Sequence, residues 1–67
     1  MSSAAILHEA QTLHDASGRL DVLAGEHPTG SEALVAISGI VRHTATLLEV
    51  LVVTKVQPLS EPGAADA

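Results

Sequence analysis

The 67-residue sequence contains no cysteine and no phenylalanine, tyrosine or tryptophan. Without cysteine, disulfides and thiolate metal sites are excluded. Aromatic side chains each bury about 150–250 Å², so a core that lacks them must be built from Ala, Val, Ile and Leu. A chain this short is only marginally stable alone, and a partner chain is the remaining source of stability. We therefore expect a homodimer.

Basic residues are also scarce. Three Lys and Arg stand against eight Asp and Glu, which gives a formal net charge of −5. Nucleic-acid binding relies on clustered basic side chains that neutralise phosphates, whereas Arg19, Arg42 and Lys55 are scattered along the chain. The composition argues against a nucleic-acid partner. It favours a soluble protein, or one that meets a basic protein surface.

Targeting signals and membrane spans are the next features to consider. The first residues, Met1–Ala5, lack the positive region of a secretory signal. The most apolar window, 34–56, is long enough to span a bilayer, but it contains Arg42, Glu49 and Lys55. A central Arg costs at least ~2.5 kcal/mol in lipid. We expect a buried helix of a soluble, cytoplasmic protein rather than a membrane span.

A first helix is predicted over residues 3–24. Apolar and small residues recur there at alternating spacings of four and three, which is the spacing of one helix face; they are Ile6, Ala10, Leu13, Ser17, Leu20 and Ala24. Gly25 is placed to end the helix as its C-cap. Pro28 cannot continue a helix without the loss of a backbone hydrogen bond.

A second helix is predicted over residues 30–56. Thr29 and Glu32 match a capping box at its start, and the short turn over 25–29 makes the two helices antiparallel neighbours. The helix carries its own three-four stripe, formed by Leu34, Ile37, Val41, Thr44, Leu48 and Leu51. Residues 49–56 are also rich in β-branched side chains, so a strand is the alternative there.

The predicted domain covers residues 1–56, and residues 57–67 are predicted to be a disordered tail. Pro58, Pro62 and Gly63 break helices, and the small residues around them leave little to bury.

The four histidines are the obvious candidates for chemistry. A metal-binding pair on a helix needs a spacing such as i,i+4, but His8 and His14 are six residues apart, His27 lies in the turn and His43 lies in the second helix. The sequence has neither a G-x-S-x-G motif nor a Gly-rich phosphate loop. We expect that the protein is not an enzyme and binds neither a cofactor nor a metal. A metal site formed between subunits is the alternative.

Together these patterns predict an all-α fold, in which an antiparallel two-helix hairpin dimerises into a four-helix bundle. The predicted seam within and between subunits comprises Ile6, Leu13, Leu20, Leu34, Ile37, Val41, Thr44, Leu48 and Leu51. We expect a non-enzymatic protein that acts by protein–protein interaction, as an adaptor or an inhibitor of another protein. The alternatives are a structural assembly subunit and a small-ligand or metal-binding module.

Several short motifs carry a family resemblance. They are LHEAQTL over 7–13, Ala33-Leu34, Gly39-Ile40 and the apolar stretch over 47–53. In these the chain resembles a group of small uncharacterised helical-hairpin proteins of pseudomonads, which form a domain of unknown function. The resemblance implies the hairpin fold and no assigned activity. In size, charge and hairpin layout the chain also resembles phage-encoded anti-activators, acidic two-helix proteins that dimerise and inhibit a host regulator.

Overall fold

Residues 2–56, the part of the chain that the computed structural model describes, form a helical hairpin. Helix α1 spans Ser3–Glu26 and helix α2 spans Ser31–Leu51. The chain then continues as a π-helical turn over Val52–Val56. The predicted all-α hairpin is confirmed. Within 2–56 there is no strand, so the alternative of a strand over 49–56 is wrong. The predicted tail, 57–67, lies outside the described residues.

Helix α1 begins at a side-chain cap. Ser2 has an extended backbone, and its hydroxyl accepts a hydrogen bond of 3.1 Å from the amide of Ala5. A serine in this position satisfies one of the amides that the first helical turn leaves free. The Ile6 amide donates to the Ser2 carbonyl at 3.2 Å and closes the first turn.

The end of α1 differs from the prediction that Gly25 is its C-cap. Gly25 lies inside the helix, and the cap is His27, whose amide donates to the Leu23 carbonyl at 3.0 Å. The left-handed backbone that favours glycine at a C-cap is not adopted at Gly25. The helix therefore continues through that residue to Glu26, and its cap, His27, directly precedes Pro28.

The start of α2 also differs from the predicted capping box. Its N-cap is Gly30 rather than Thr29, and this cap makes no side-chain hydrogen bond. Gly30 has a φ of 90°, a conformation that only glycine adopts without strain. The left-handed backbone at Gly30 lets the chain reverse direction within a short connection. The carbonyl of Gly30 accepts a hydrogen bond of 2.9 Å from the amide of Leu34. The prediction of a Thr29–Glu32 capping box is therefore wrong.

The two helices pack antiparallel along a seam made by one face of each. The face of α1 is the predicted stripe, with Ile6, Ala10, Ser17 and Ala24 buried and Leu13 and Leu20 half-buried. The face of α2 consists of Leu34, Ser38, Val41, Ala45 and Leu48, and Val52 continues it in the π-helical turn. Thus α2 turns the small residues Ser38 and Ala45 towards α1, while Ile37 and Thr44 are exposed.

Small residues at intervals of seven let the helices approach closely. They are Ser3, Ala10, Ser17 and Ala24 on α1 and Ser31, Ser38 and Ala45 on α2. Among the described residues, the largest side chains that are fully buried are those of Ser17 and Ser38. The seam of a single hairpin is therefore tight but encloses little apolar volume.

Candidate interaction surface

Besides the buried hydrogen bond from the Ser38 hydroxyl to the Ser17 carbonyl, two side-chain pairs join one helix to the other. An Arg42 Nη donates to a carboxylate oxygen of Asp21 at 2.7 Å, and the His14 Nε2 lies 3.1 Å from a carboxylate oxygen of Glu49. In each helix the two residues are seven apart, so they project from the same side. Both contacts therefore lie on one side of the seam, which we call the polar side.

On the polar side, the carboxylate of Asp21 is stabilised in its charged form. The pKa of Asp21 is lowered from its ordinary value by the neighbouring Ser38 hydroxyl and by the Arg42 guanidinium. The Ser38 hydroxyl donates its proton to the Ser17 carbonyl at 2.9 Å. The guanidinium of Arg42 is therefore the group that donates directly to the carboxylate, and it favours the charged form.

The opposite side of the seam, which we call the apolar side, is lined by two rows of residues: Leu13, Ala16, Leu20 and Leu23 from α1, and Leu34, Ile37, Val41, Thr44, Leu48 and Leu51 from α2. The members nearest the seam are half-buried. Those further out are open to solvent, with Ile37 48% and Leu51 40% exposed.

Polar groups intrude little on the apolar side. Thr44 is the polar residue of its α2 row, and its hydroxyl donates to the carbonyl of Ile40 at 2.9 Å. The hydroxyl proton is thus satisfied within the helix. Near the open end of the hairpin, the end away from the turn, Glu9 lines a groove together with Ala5, Ile6 and Leu48. Lys55, seven residues after Leu48, lies at the same end, so charged side chains flank the apolar side at its open end.

Apolar exposure continues onto the outer face of α2, where Ile40 is 66% and Leu47 53% exposed. The segment Ser31–Val56 has 26 residues, and its most apolar 18-residue window has a mean hydropathy of 1.5, so its length and composition would suffice to cross a membrane. Only 17% of its most apolar window is buried in the hairpin. Most of the apolar surface of α2 thus has no cover from α1.

The predicted seam residues fall into three groups. Ile6 is buried between the helices, whereas Ile37, Thr44 and Leu51 are exposed on the apolar side. The remaining five are half-buried where the seam meets that side: Leu13, Leu20, Leu34, Val41 and Leu48. Their part in a seam between subunits stays a prediction.

Sequence reasoning missed the interhelical polar contacts. It assigned no contact partner to Arg42 or Glu49 and no role to Ser38 or Ala45. The signal that could have revealed the inner face of α2 is the recurrence of Ser or Ala at positions 31, 38 and 45, which matches the recurrence at 10, 17 and 24 on α1.

The histidines do not converge. His14 pairs with Glu49, and His8, His27 and His43 are exposed at separate places. In the part of the chain that the structure describes, no three residues among His, Asp and Glu are grouped so that they could hold a metal ion.

Comparisons with known proteins add nothing to this geometry: no family model matches the chain, and neither curated proteins nor solved structures give a match. The resemblance to helical-hairpin proteins of pseudomonads stays a prediction.

Proposed function

We propose that this chain is a non-enzymatic interaction protein, an adaptor or inhibitor, whose apolar side packs against another protein chain. The observation that carries the proposal is the separation of the two sides. The interhelical polar contacts, Asp21 with Arg42 and His14 with Glu49, lie on the polar side. Rows of half-buried and exposed Leu, Ile and Val occupy the apolar side along both helices.

The size of the apolar side supports a protein partner. Helix α1 has 24 residues and is therefore about 36 Å long. Two packed helices, with axes about 8–10 Å apart, present a side of roughly 700 Å². Soluble monomers rarely expose a contiguous apolar patch of more than a few hundred Å². Stable protein interfaces bury about 600–1,000 Å² on each partner, and the apolar side falls within that range.

Two depressions on the surface of the hairpin resemble packing surfaces more than catalytic sites. A catalytic site needs titratable groups that converge on a pocket. A shallow depression along α2 and the π-helical turn is lined by Thr46, Glu49, Val50, Val53 and Thr54. Its titratable residue, Glu49, is already bonded to His14. The groove at Glu9 is otherwise lined by apolar side chains. These surfaces suit packing better than proton transfer.

The absence of native cysteine makes a sharp test possible, because a single introduced thiol reports on its own surroundings. Ile37→Cys places the thiol on the apolar side. Val35→Cys places it on the polar side, seven residues before Arg42, at a site of similar exposure (54% against 48%). Each variant is expressed in cells and treated with a membrane-permeant maleimide, and the modification rate is measured. We expect the thiol at 37 to react at least about tenfold more slowly than the thiol at 35.

The modification rate of each variant is also measured after denaturation. This rate gives the intrinsic reactivity of each thiol and serves as the control. Equal rates in intact cells would contradict the proposal, because the apolar side would then be open to solvent. Protection at position 37 that is confined to the membrane fraction would also contradict it, because lipid rather than protein would cover the side.

A further inference from the structure

We propose that a second copy of this chain covers the apolar side, related to the first by a two-fold axis beside Thr44 that makes the two α2 helices antiparallel. The result is a four-helix bundle. This inference rests on the proposed function and names the chain that covers the apolar side, so that the target of an adaptor or inhibitor would contact an outer face of the bundle.

The shape of the apolar side favours a partner built like the chain itself. On α2, the rows that end at Leu48 and at Leu51 both repeat every seven residues, and Leu13 and Leu20 on α1 repeat in the same way. Such rows pack against helices that carry the same repeat over the same length. A second copy offers two such helices of matching length, already held side by side.

The distribution of charge permits two acidic chains to meet. Each copy has a formal net charge of −5, so association of acidic faces would be opposed by repulsion. By helical spacing Asp15, Glu26 and Glu32 lie away from the apolar side, and each is exposed. Asp21 and Glu49 are paired on the polar side. The middle of the apolar side therefore contributes no charge to the contact.

The area also fits. Two apolar sides of roughly 700 Å² each would bury about 1,400 Å² in total, which lies within the 1,200–2,000 Å² of stable protein interfaces. The hairpin alone buries few large side chains: of its buried apolar residues, Ala10, Ala24 and Ala45 are alanines, and the others are Ile6 and Val52. A second copy would complete the burial of the five half-buried seam residues at their outer edges.

We place the axis beside Thr44, the central residue of the exposed row on α2. Ile37 lies seven residues before it and Leu51 seven residues after it, in the same row. A two-fold axis beside Thr44 therefore packs Ile37 against the partner's Leu51, and the reverse, as an isologous interface requires. Thr44 is smaller than its neighbours in the row, and its hydroxyl is satisfied by the carbonyl of Ile40. It can lie at the centre of an apolar contact without an unpaired proton.

The antiparallel orientation follows from the direct contact between the two α2 helices. When they run in opposite directions their helix dipoles are also opposed, which is the favourable arrangement. Charge at the open end does not decide the orientation, because Glu9 and Lys55 both lie there.

Disulfide mapping of the full chain tests both the partner and the orientation. Two cysteines link only when their Cα atoms are within about 7 Å. Thr44→Cys should oxidise to a covalent homodimer at micromolar concentration, well above the yield from Asp15→Cys, an exposed control outside the interface. Ile37→Cys and Leu51→Cys should link when they are mixed, unfolded and refolded together, and should link poorly when each is alone. Circular dichroism checks that each variant is helical.

Light scattering of the unsubstituted chain gives an independent readout, and we expect twice the chain mass of 6.8 kDa. A monomer, a mass above the dimer, or a yield from Thr44→Cys no higher than that from Asp15→Cys would overturn the second-copy proposal. Efficient self-linking of both Ile37→Cys and Leu51→Cys would overturn the antiparallel arrangement. A purified monomer whose thiol at 37 is protected in cells would overturn this inference and leave the proposed function standing.

Discussion

The hydroxyl of Ser38 donates a hydrogen bond of 2.9 Å to the backbone carbonyl of Ser17, directly across the seam of the hairpin. A short side chain on α2 can reach the backbone of α1 only where the helices are close together. The Ser17 hydroxyl turns the other way and donates to the carbonyl of His14 in its own helix. The tightest part of the seam is thus held by polar atoms, all of them paired.

A larger side chain at position 38 should push the helices apart. Ser38 is fully buried, and overpacking a tight interior costs about 1–3 kcal/mol. We expect Ser38→Leu to lower the free energy of unfolding by that amount, and Ser38→Ala by about 1 kcal/mol, because it loses only the hydrogen bond. Urea denaturation at a fixed chain concentration measures both. Ala36→Leu, on the exposed face of α2, is the volume control and should stay within about 0.5 kcal/mol.

Charge on the apolar side should weaken self-association. Ile37→Lys places an ammonium where the proposed partner packs, and a desolvated charge without a partner is costly. We expect the dissociation constant of the dimer to rise at least about tenfold, or ~1.4 kcal/mol, as measured by sedimentation over a concentration series. Val35→Lys makes the same change on the polar side at similar exposure and should leave the constant unchanged. Equal effects of the two substitutions would rule out the apolar side as the specific interface.

Alanine at two glycines should change stability in opposite directions. Gly30 has a φ of 90°, and an L-residue pays about 1–2 kcal/mol for a left-handed backbone, so Gly30→Ala should destabilise the fold. Gly39 lies within α2 at a position where an added Cβ would meet nothing within 4 Å. Gly39→Ala should therefore stabilise the fold by about 0.5–1 kcal/mol. Thermal denaturation of both variants checks the signs, and a shared sign would contradict the backbone account.

The ion pair between Asp21 and Arg42 should make stability depend on acid pH. The pKa of Asp21 is lowered in the folded chain from an ordinary value of 3.8 by Ser38 and Arg42. Its contribution is therefore complete above the ordinary value and is lost as the pH falls through the lowered pKa. Asp21→Asn should be less stable than the native chain at pH 7, and the difference should vanish in strong acid. Both groups are about half exposed, so the effect is small.

Arg42→Gln provides the matched control for that pH profile. It breaks the same ion pair by removing the basic partner. The stability that this variant loses relative to the native chain should also diminish over the same acid range. Combining it with Asp21→Asn should add little further loss, since each single substitution already breaks the pair. A stability difference for Asp21→Asn that is independent of pH would show that the amide acts through packing rather than through charge.

The sequence predicted the two helices and their antiparallel order because its strongest signals are local. Periodic apolar residues favour the helices, and Gly25, Pro28 and Gly30 cluster at the connection. The predicted helix caps, Gly25 and the Thr29–Glu32 box, were wrong because the signals for a cap are also local. The chain offers several candidate cap residues within a few positions, and only the backbone geometry decides that Gly30, with its positive φ, makes the turn.

The face of α2 that meets α1 could not be predicted from hydrophobicity, because α2 is apolar around more than half of its circumference. Ile37 and Thr44 lie on the longest apolar stripe, but the structure turns Ser38 and Ala45 inward. The contact face of α1 carries small residues, and the helices can pack closely against it only where α2 also carries small residues. The stripe with larger side chains is thereby left on the apolar side, where the candidate interaction surface lies.

The short connection between Glu26 and Ser31 also bears on how the chain reaches its folded state. Antiparallel neighbours joined this closely form contacts of low sequence separation, beginning beside the turn, and such topologies fold in microseconds to milliseconds. Pairing with a second copy is a bimolecular encounter and slows on dilution. Refolding should therefore show a fast phase whose rate is independent of chain concentration, when the helices form, followed by a slower phase whose rate rises with concentration.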